Sequence, residues 1–374
     1  MHFYVRGNRM KRILFISNSV GALYNFRFEL ISKLIELNYK VYAIVPEKEN
    51  ENLLEDLGCH CMTIHMNRRN TNIIEDINVF LKYFGIIRRI RPDIVLTYTI
   101  KPNVYGGVAC KLNHIPFISS VTGLGEAVEN AGILQKLTVF LYKIAMKNAR
   151  CIFFQNQGNM QFFEHRSIGN HERYKLLPGS GVNLDQYQVL PYPDENEGIH
   201  FLLIARIMRE KGINEFLEAA NIVKNQYNNV FFDIVGFCED AYEEKLKMLE
   251  DSGIINYYGM QNDIKPFVRK ASAIVLPSYH EGMANSLLEA ASMGRPVLAS
   301  NVSGCKEAFD EGVSGFGFEA RSVDGLVNTL VKFIELPYED KMNMGLAGRT
   351  KMEKEFDRNI VIDSYIKEIE EILN

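Results

Sequence analysis

The chain alternates two patterns. Short, mainly apolar runs stand at residues 12–17, 40–45, 60–65, 93–98 and 151–155, and again at 200–205, 230–236, 273–276 and from 295 onward. Runs of that length, bounded by polar or glycine-containing loops, predict strands buried on both faces. Between them, apolar residues recur every three or four positions, predicting helices over 25–37, 72–91, 133–149, 241–250, 284–293, 323–335, 338–355 and 358–373. The 72–91 segment, with Ile73, Ile77, Phe80, Leu81, Phe84 and Ile87, reads mainly as a core-packing helix; its arginines Arg88, Arg89 and Arg91 suit either a helix C-terminus or a phospholipid headgroup. Strand–helix alternation repeated in two halves predicts an α/β protein of two doubly wound domains facing a central cleft. Residues 186–198, rich in proline and acidic side chains, read as a linker. The expected division is therefore 1–185, linker 186–198, 199–357, and a last helix 358–374. No repeat and no low-complexity segment interrupts this plan.

Composition narrows the class. The 374 residues suit two domains, and 47% hydrophobic with 24% charged residues is ordinary for a globular protein. No run of about 18 apolar residues predicts a membrane span. Residues 1–9 lack the apolar core of a secretory signal, and Met10 reads as a natural start. The six scattered cysteines read as reduced, mostly buried thiols of a cytosolic protein. No Cys/His cluster has metal-ligand spacing, so no metal is expected. Net charge is −4, unevenly spread: residues 1–185 hold 23 basic against 15 acidic residues, and residues 186–374 hold 19 against 31. A basic first half faces something anionic. No nucleic-acid motif accompanies the charge, so the expected partner is an anionic membrane surface and not nucleic acid.

Candidate chemistry concentrates where a strand, a polar loop and a helix start meet, at 273–296. Amides of Asn285, Ser286 and Leu287 are expected to offer N–H groups to an anion such as a phosphate. Glu281 and Glu289 bracket this element. Eight residues at about 1.5 Å each put them roughly 12 Å apart, too far for the glycosidase pair, which needs about 5–9.5 Å. Such a spacing suits two separate hydroxyl groups of one long ligand; a loop charge and a solvated helix residue are the alternative. Arg206 and Lys211 lie five apart across another strand–helix loop, with Gly212 allowing close backbone approach, and read as a clamp for one anion or as a surface cluster. The loop 18–24 with its single Gly21 has neither a dinucleotide fingerprint nor a P-loop. Thr99, Lys101 and Asn103 surround Pro102 at a predicted helix start, where a lysine attracts anions or is merely solvated.

Glu281-Gly282 with Glu289, the Arg206/Lys211 pair, and Pro178-Gly179-Ser180-Gly181-Val182 together resemble the retaining GT-B glycosyltransferases of family 4 (glycosyltransferase group 1). The resemblance covers nearly the whole chain from Met10. The segments 99–107 and 121–126 are similar to a subgroup acting on undecaprenyl-diphosphate-linked sugars in surface polysaccharide or glycan assembly. It implies a nucleoside diphosphate sugar, UDP-linked, as donor substrate, no cofactor, retention of configuration, and a protein lying peripherally on the inner face of the cell membrane with a lipid-linked glycan as acceptor. Carried over by resemblance, Arg206, Lys211 and Glu281 are catalytic. Gly21, Met260, Gly282, Asn285, Ser286, Leu287 and Glu289 bind the donor, Met260 at the turn that holds the base and Glu289 at the ribose. Thr99, Lys101, Asn103 and Glu126 face the acceptor. It also implies that helix 358–373 packs back on the first domain. Three departures stand out: Met283-Ala284-Asn285 replaces a usual Thr-Pro-Arg, no histidine stands near Thr99, and Glu126 occupies a turn that is often apolar. A GT-B sugar-nucleotide epimerase and a non-catalytic membrane-docked subunit are the rival readings.

Overall fold

The computed structural model describes residues 9–47, 49–66, 73–124 and 132–374. The chain forms two compact units. The first comprises the residues up to Ser180 together with Val361–Asn374, and the second is Gly181–Ile360.

The first unit is a parallel sheet of β1 (Arg12–Ile16), β2 (Lys40–Pro46), β3 (His60–Ile64), β4 (Ile94–Tyr98), β5 (Phe117–Val121), β6 (Cys151–Phe154) and β7 (Tyr174–Leu176), in the order β3-β2-β1-β4-β5-β6-β7. Successive side chains of a strand point to opposite faces, and β1 shows the result. Leu14 and Ile16 join one core with Val79, Tyr83 and Tyr142; Ile13 and Phe15 join another with Leu30, Ile31 and Tyr365. Helices Ile73–Ile90, Gly107–Leu112 and Ile133–Met146 thus cover one face, and Val20–Glu36 with the end of Arg358–Leu373 covers the other. Tyr365 anchors the last helix: its ring packs at a tilt against Phe153, and its hydroxyl meets Ser120 Oγ at 2.5 Å.

One local expectation fails here. Residues 18–24 read as a loop, yet the helix begins at Val20. Ser19 is extended, and its hydroxyl accepts from Ala22 N at 3.1 Å, so a serine cap starts the helix five residues early.

The second unit is a parallel sheet of β8 (Ile199–Ile204), β9 (Val230–Val235), β10 (Asn256–Tyr257), β11 (Ala273–Leu276), β12 (Val297–Ser300) and β13 (Gly315–Phe318), ordered β10-β9-β8-β11-β12-β13. The order reverses between β8 and β11. That switch point opens a crevice beyond the strands' carboxyl ends, where ligands of such sheets bind.

Residues 186–198 belong to this unit, held down along their length. Arg295 is fully buried and donates to six carbonyls: Leu190, Pro191, Val268, Arg269, Met293 and Gly294. Arg349 donates to Tyr187 O, and the Tyr192 hydroxyl to Ser272 O. Their proline content resembles a linker, but side chains remote in sequence satisfy their backbone. Burial pulls Arg295 down to about 10, so it stays charged at neutral pH. Arg295→Gln is expected to cost at least about 3 kcal/mol, because several buried carbonyls lose their donor at once. An unchanged urea midpoint would remove this stapling role.

Candidate active site

The second unit assembles its polar cluster at the switch point. Arg206 follows β8 and is exposed; a single 3-10 turn, Arg209–Lys211, leads on to Gly212 and helix Ile213–Lys224. From the adjacent strand β11, Pro277 and Ser278 lead to Glu281. Gly212 adopts φ +71°, and a Cβ there would lie 2.0 Å from Pro277 O, so the loops after β8 and β11 touch backbone to backbone. That contact brings Lys211 to Glu281. The ammonium is ion-paired with Glu281 Oε1, and Ser278 Oγ donates to the same oxygen at 2.7 Å. Both members are largely enclosed, with side chains 21% and 11% exposed. Gly304 packs against the Glu281 backbone: it adopts φ +87°, and a Cβ there would stand 2.6 Å from Glu281 O, so only a glycine fits. Gly304 O then accepts from Ala284 N at 2.8 Å, fixing the turn that carries Gly282 and Met283.

Helix Asn285–Ser292 begins at this turn with no side-chain cap. The first-turn amides of Asn285 and Ser286 have no partner within the helix. Leu287 corrects the expectation: its N–H donates to Ala284 O at 3.0 Å and its side chain is fully buried, so it has no amide to offer. Asn285 Oδ1 is a buried acceptor without a hydrogen-bond partner, which fits a position completed by a ligand.

Glu289 lies further along the same helix. Burial pushes its carboxyl up to about 7, against the pull of Arg358 and a hydrogen bond from Tyr187. Sequence reading missed both neighbours. Gly181 was the available signal: at φ +65°, a Cβ would stand 2.5 Å from the Arg358 Cα, so only a glycine lets Arg358 approach there. Two exposed apolar residues flank the cluster. Met260 is 72% exposed after Gly259, whose carbonyl accepts from Gly236 N; Phe237, also missed, is 56% exposed and its carbonyl accepts from Ile207 N beside Arg206.

The first unit gathers its candidates after β4. Thr99 is a β-branched residue at φ +71°, a strained backbone for its type, and its Oγ1 is buried without a hydrogen-bond partner. Lys101 is not a solvated lysine: it pairs with Asp76 at 2.8 Å, and Tyr105 donates to the same carboxylate at 2.9 Å. Asn103 is 0% exposed and donates to Ser120 O at 3.0 Å. It supports the β4–β5 junction and has no surface to offer an acceptor. Gly21 sits in the first turn of its helix with ordinary backbone, and the nearest atom to an ideal Cβ is 3.8 Å away. Glu126 lies outside the described residues. Among the described residues, no group of three His, Cys, Asp or Glu could hold a metal ion.

Two family models match this chain. "Glycosyl transferases group 1" matches residues 192–351, the second unit with its cluster, and "Glycosyl transferase 4-like" matches residues 12–156. The chain belongs to the group 1 glycosyltransferases. One relative is the N,N'-diacetylbacillosaminyl-diphospho-undecaprenol alpha-1,3-N-acetylgalactosaminyltransferase of Campylobacter jejuni, 28% identical over 95% of this chain and 97% of that protein. Another is the UDP-Gal:alpha-D-GlcNAc-diphosphoundecaprenol alpha-1,3-galactosyltransferase of Escherichia coli, 25% identical over 71% of this chain and 72% of that one. Among solved structures, Anabaena Alr3699/HepE in complex with UDP and glucose superposes with a TM-score of 0.78 at 17% identity, covering 96% of this chain and 99% of that chain. That likeness places the fold in the GT-B class. The epimerase and the inert-subunit readings gain no support from these relatives.

Proposed function

We propose that this glycosyltransferase moves a hexose or N-acetylhexosamine from a UDP-sugar to a lipid-diphosphate-linked glycan, with retention and without a metal. The observation that carries the reading is the Lys211–Glu281–Ser278 cluster at the switch point of the second sheet. A sugar with many hydroxyls needs an acceptor carboxylate, and a departing diphosphate needs cations; here the two are adjacent. Lys211 and Arg206, with the amides of Asn285 and Ser286, would stabilise the leaving diphosphate in place of a metal ion. Glu281 and Gly282 orient the sugar, Glu289 holds the ribose, and Phe237 and Met260 border the base. No side chain among these is an evident nucleophile. The acceptor hydroxyl attacks on the face from which the phosphate leaves, and that phosphate takes the proton. The names of both relatives, with their diphosphoundecaprenol acceptors, support a lipid-linked acceptor. The reading has the enzyme working at the inner membrane face as a peripheral protein, where a lipid-linked acceptor would be met; no helix of the described residues is long and apolar enough to cross a membrane.

The test is nucleotide release from a panel of UDP-, GDP- and ADP-sugars, with and without a lipid-linked acceptor extract. Acceptor-dependent release of UDP from one sugar is expected. Release of GDP or ADP alone would overturn the donor assignment, and release that ignores the acceptor would overturn the transferase.

Glu289 gives a pH signature. Ribose hydroxyls donating to the carboxylate favour its charged form, so UDP affinity should fall as pH drops through about 7, by up to about tenfold per unit. Calorimetric titration of UDP between pH 6 and 8 reads it, and Glu289→Gln should flatten the profile. A wild-type profile already flat would remove Glu289 from the ribose. The same raised pKa has an opposite consequence for the empty protein. The folded state holds this proton where the unfolded chain has lost it, so stability from this group is full below about 4.5 and declines as pH rises to about 7.

A further inference from the structure

Helix Ile133–Met146 has two faces. Tyr142, Ala145 and Met146 are buried in the core of the first unit. On the opposite side Leu137, Phe140 and Ile144 follow the spacing of one helical stripe, and all three are exposed, Phe140 at 58%. Helix Ile73–Ile90 repeats the arrangement: Val79, Tyr83 and Ile87 face inward, while Ile74, Ile77 and Leu81 point outward, Ile74 at 72%. Both helices cover the same face of the sheet, and Gly107–Leu112, with an exposed Leu112, contacts both. The buried cores of the described residues leave these two stripes unused.

The charge around them identifies what covers them. From Gly132 to Arg150 the sequence carries four cations and no anion. At 100° per residue, Lys136, Lys143 and Lys147 run along one edge of the Leu137–Phe140–Ile144 stripe, and all are exposed. On the neighbouring helix Lys82 borders Leu81, while Glu75 and Asp76 stand in the first turn, Asp76 paired with Lys101. An apolar ridge edged by lysines is the pattern of a helix lying in a bilayer interface, its apolar side chains at the acyl boundary and its ammonium groups reaching up to phosphates. A second protein surface matching the Leu137–Phe140–Ile144 ridge would need acidic residues along one edge; an anionic bilayer supplies negative headgroups everywhere.

We propose that helices Ile133–Met146 and Ile73–Ile90 form a docking face that seats the first unit on an anionic lipid bilayer, with Leu137, Phe140 and Ile144 inserted. The proposal deepens the reading of a lipid-linked acceptor and rests on it for its purpose, though not for its test.

The chain contains no tryptophan, so a single one reports without background. Full-length Phe140→Trp, and Leu37→Trp as a control exposed on the opposite face, are mixed with vesicles of phosphatidylcholine with and without phosphatidylglycerol. The indole of the Phe140→Trp protein is expected to shift to the blue on anionic vesicles and to be quenched by brominated acyl chains; the indole of the Leu37→Trp protein is expected to do neither. Each of Lys136→Gln, Lys143→Gln and Lys147→Gln should weaken partitioning about fivefold, an effect lost at high salt. Leu137→Gln/Phe140→Gln/Ile144→Gln should weaken it at least about 100-fold, while transfer to a detergent-solubilised acceptor stays unchanged because no site residue is touched. Several outcomes overturn the proposal: a Phe140→Trp indole that stays in water on every vesicle, equal quenching in the Leu37→Trp control, or a triple variant that turns a dimer into a monomer in light scattering without losing vesicle binding. Vesicle docking by a protein that releases nucleotide from no donor would support the docking face and remove the transferase reading instead.

Discussion

Lys211→Met is expected to lower kcat for sugar transfer by about 10²–10³-fold, with a smaller change in the KM for the donor. The fold holds this lysine inside the switch-point crevice. Its loop is braced by Gly212 against Pro277, and its ammonium is already ordered on Glu281. A preordered charge costs little reorganisation when negative charge builds on a leaving diphosphate, and loss of one such donor has that magnitude. Because the charge develops mainly in the transition state, the effect falls on kcat more than on ground-state binding. Glu281 would lose its cationic partner while keeping its bond from Ser278, so a stability loss of about 1–3 kcal/mol accompanies the change. Rates are therefore compared at a temperature where circular dichroism shows both proteins folded. Lys211→Arg keeps the charge but not the compact geometry and should fall between the two. A folded Lys211→Met enzyme with near-normal kcat would end the assignment. Loss confined to KM would make the lysine a binding group only.

The fold was legible because parallel strands buried on both faces must be written as apolar runs, and all nine runs named from the sequence appear as strands within a residue or two. The polar cluster of Lys211, Ser278 and Glu281 was legible because its residues sit in short loops at fixed distances from those strands. What escaped depends on partners far along the chain. Residues 186–198 read as a linker because nothing near them reveals that Arg295, about a hundred positions on, will bond their carbonyls. Lys101 read as a cation for phosphates because Asp76 lies 25 residues away on another helix. Asn103, a polar residue after a strand, looked like a site residue, and only the sheet shows that its amide is spent on Ser120. Tyr187 and Arg358 carry no motif, yet together with burial they set the ionisation of Glu289. The glycines were the most informative letters. Gly181, Gly212 and Gly304 each mark a place where two backbones meet, and each such meeting borders the site.

Two glycines at comparable strand–helix junctions should respond in opposite ways to the same substitution. Gly21→Ala places a methyl group 3.8 Å from its nearest neighbour in a helical first turn, and should leave activity unchanged or raise stability by about 0.5–1 kcal/mol. Gly212→Ala places it 2.0 Å from Pro277 O in a left-handed backbone. The conformation alone costs roughly 1–2 kcal/mol, and the overlap with a rigid backbone cannot be relieved by a side-chain rotation. The loops after β8 and β11 must then part. Lys211 rides on the first and Glu281 on the second, so the ion pair opens with them. A displacement of about 1 Å in a positioned group costs on the order of 100-fold in rate, and kcat/KM for Gly212→Ala should fall by that order alongside a lowered melting temperature. The pair of variants separates two ideas about where the donor is gripped. If Gly21→Ala proves inactive and Gly212→Ala active, the grip lies in the first unit, and the cluster around Glu281 is structural. The opposite result ties catalysis to the backbone contact at Pro277, the point where the sheet reverses its order and two loops are close enough to share one ligand.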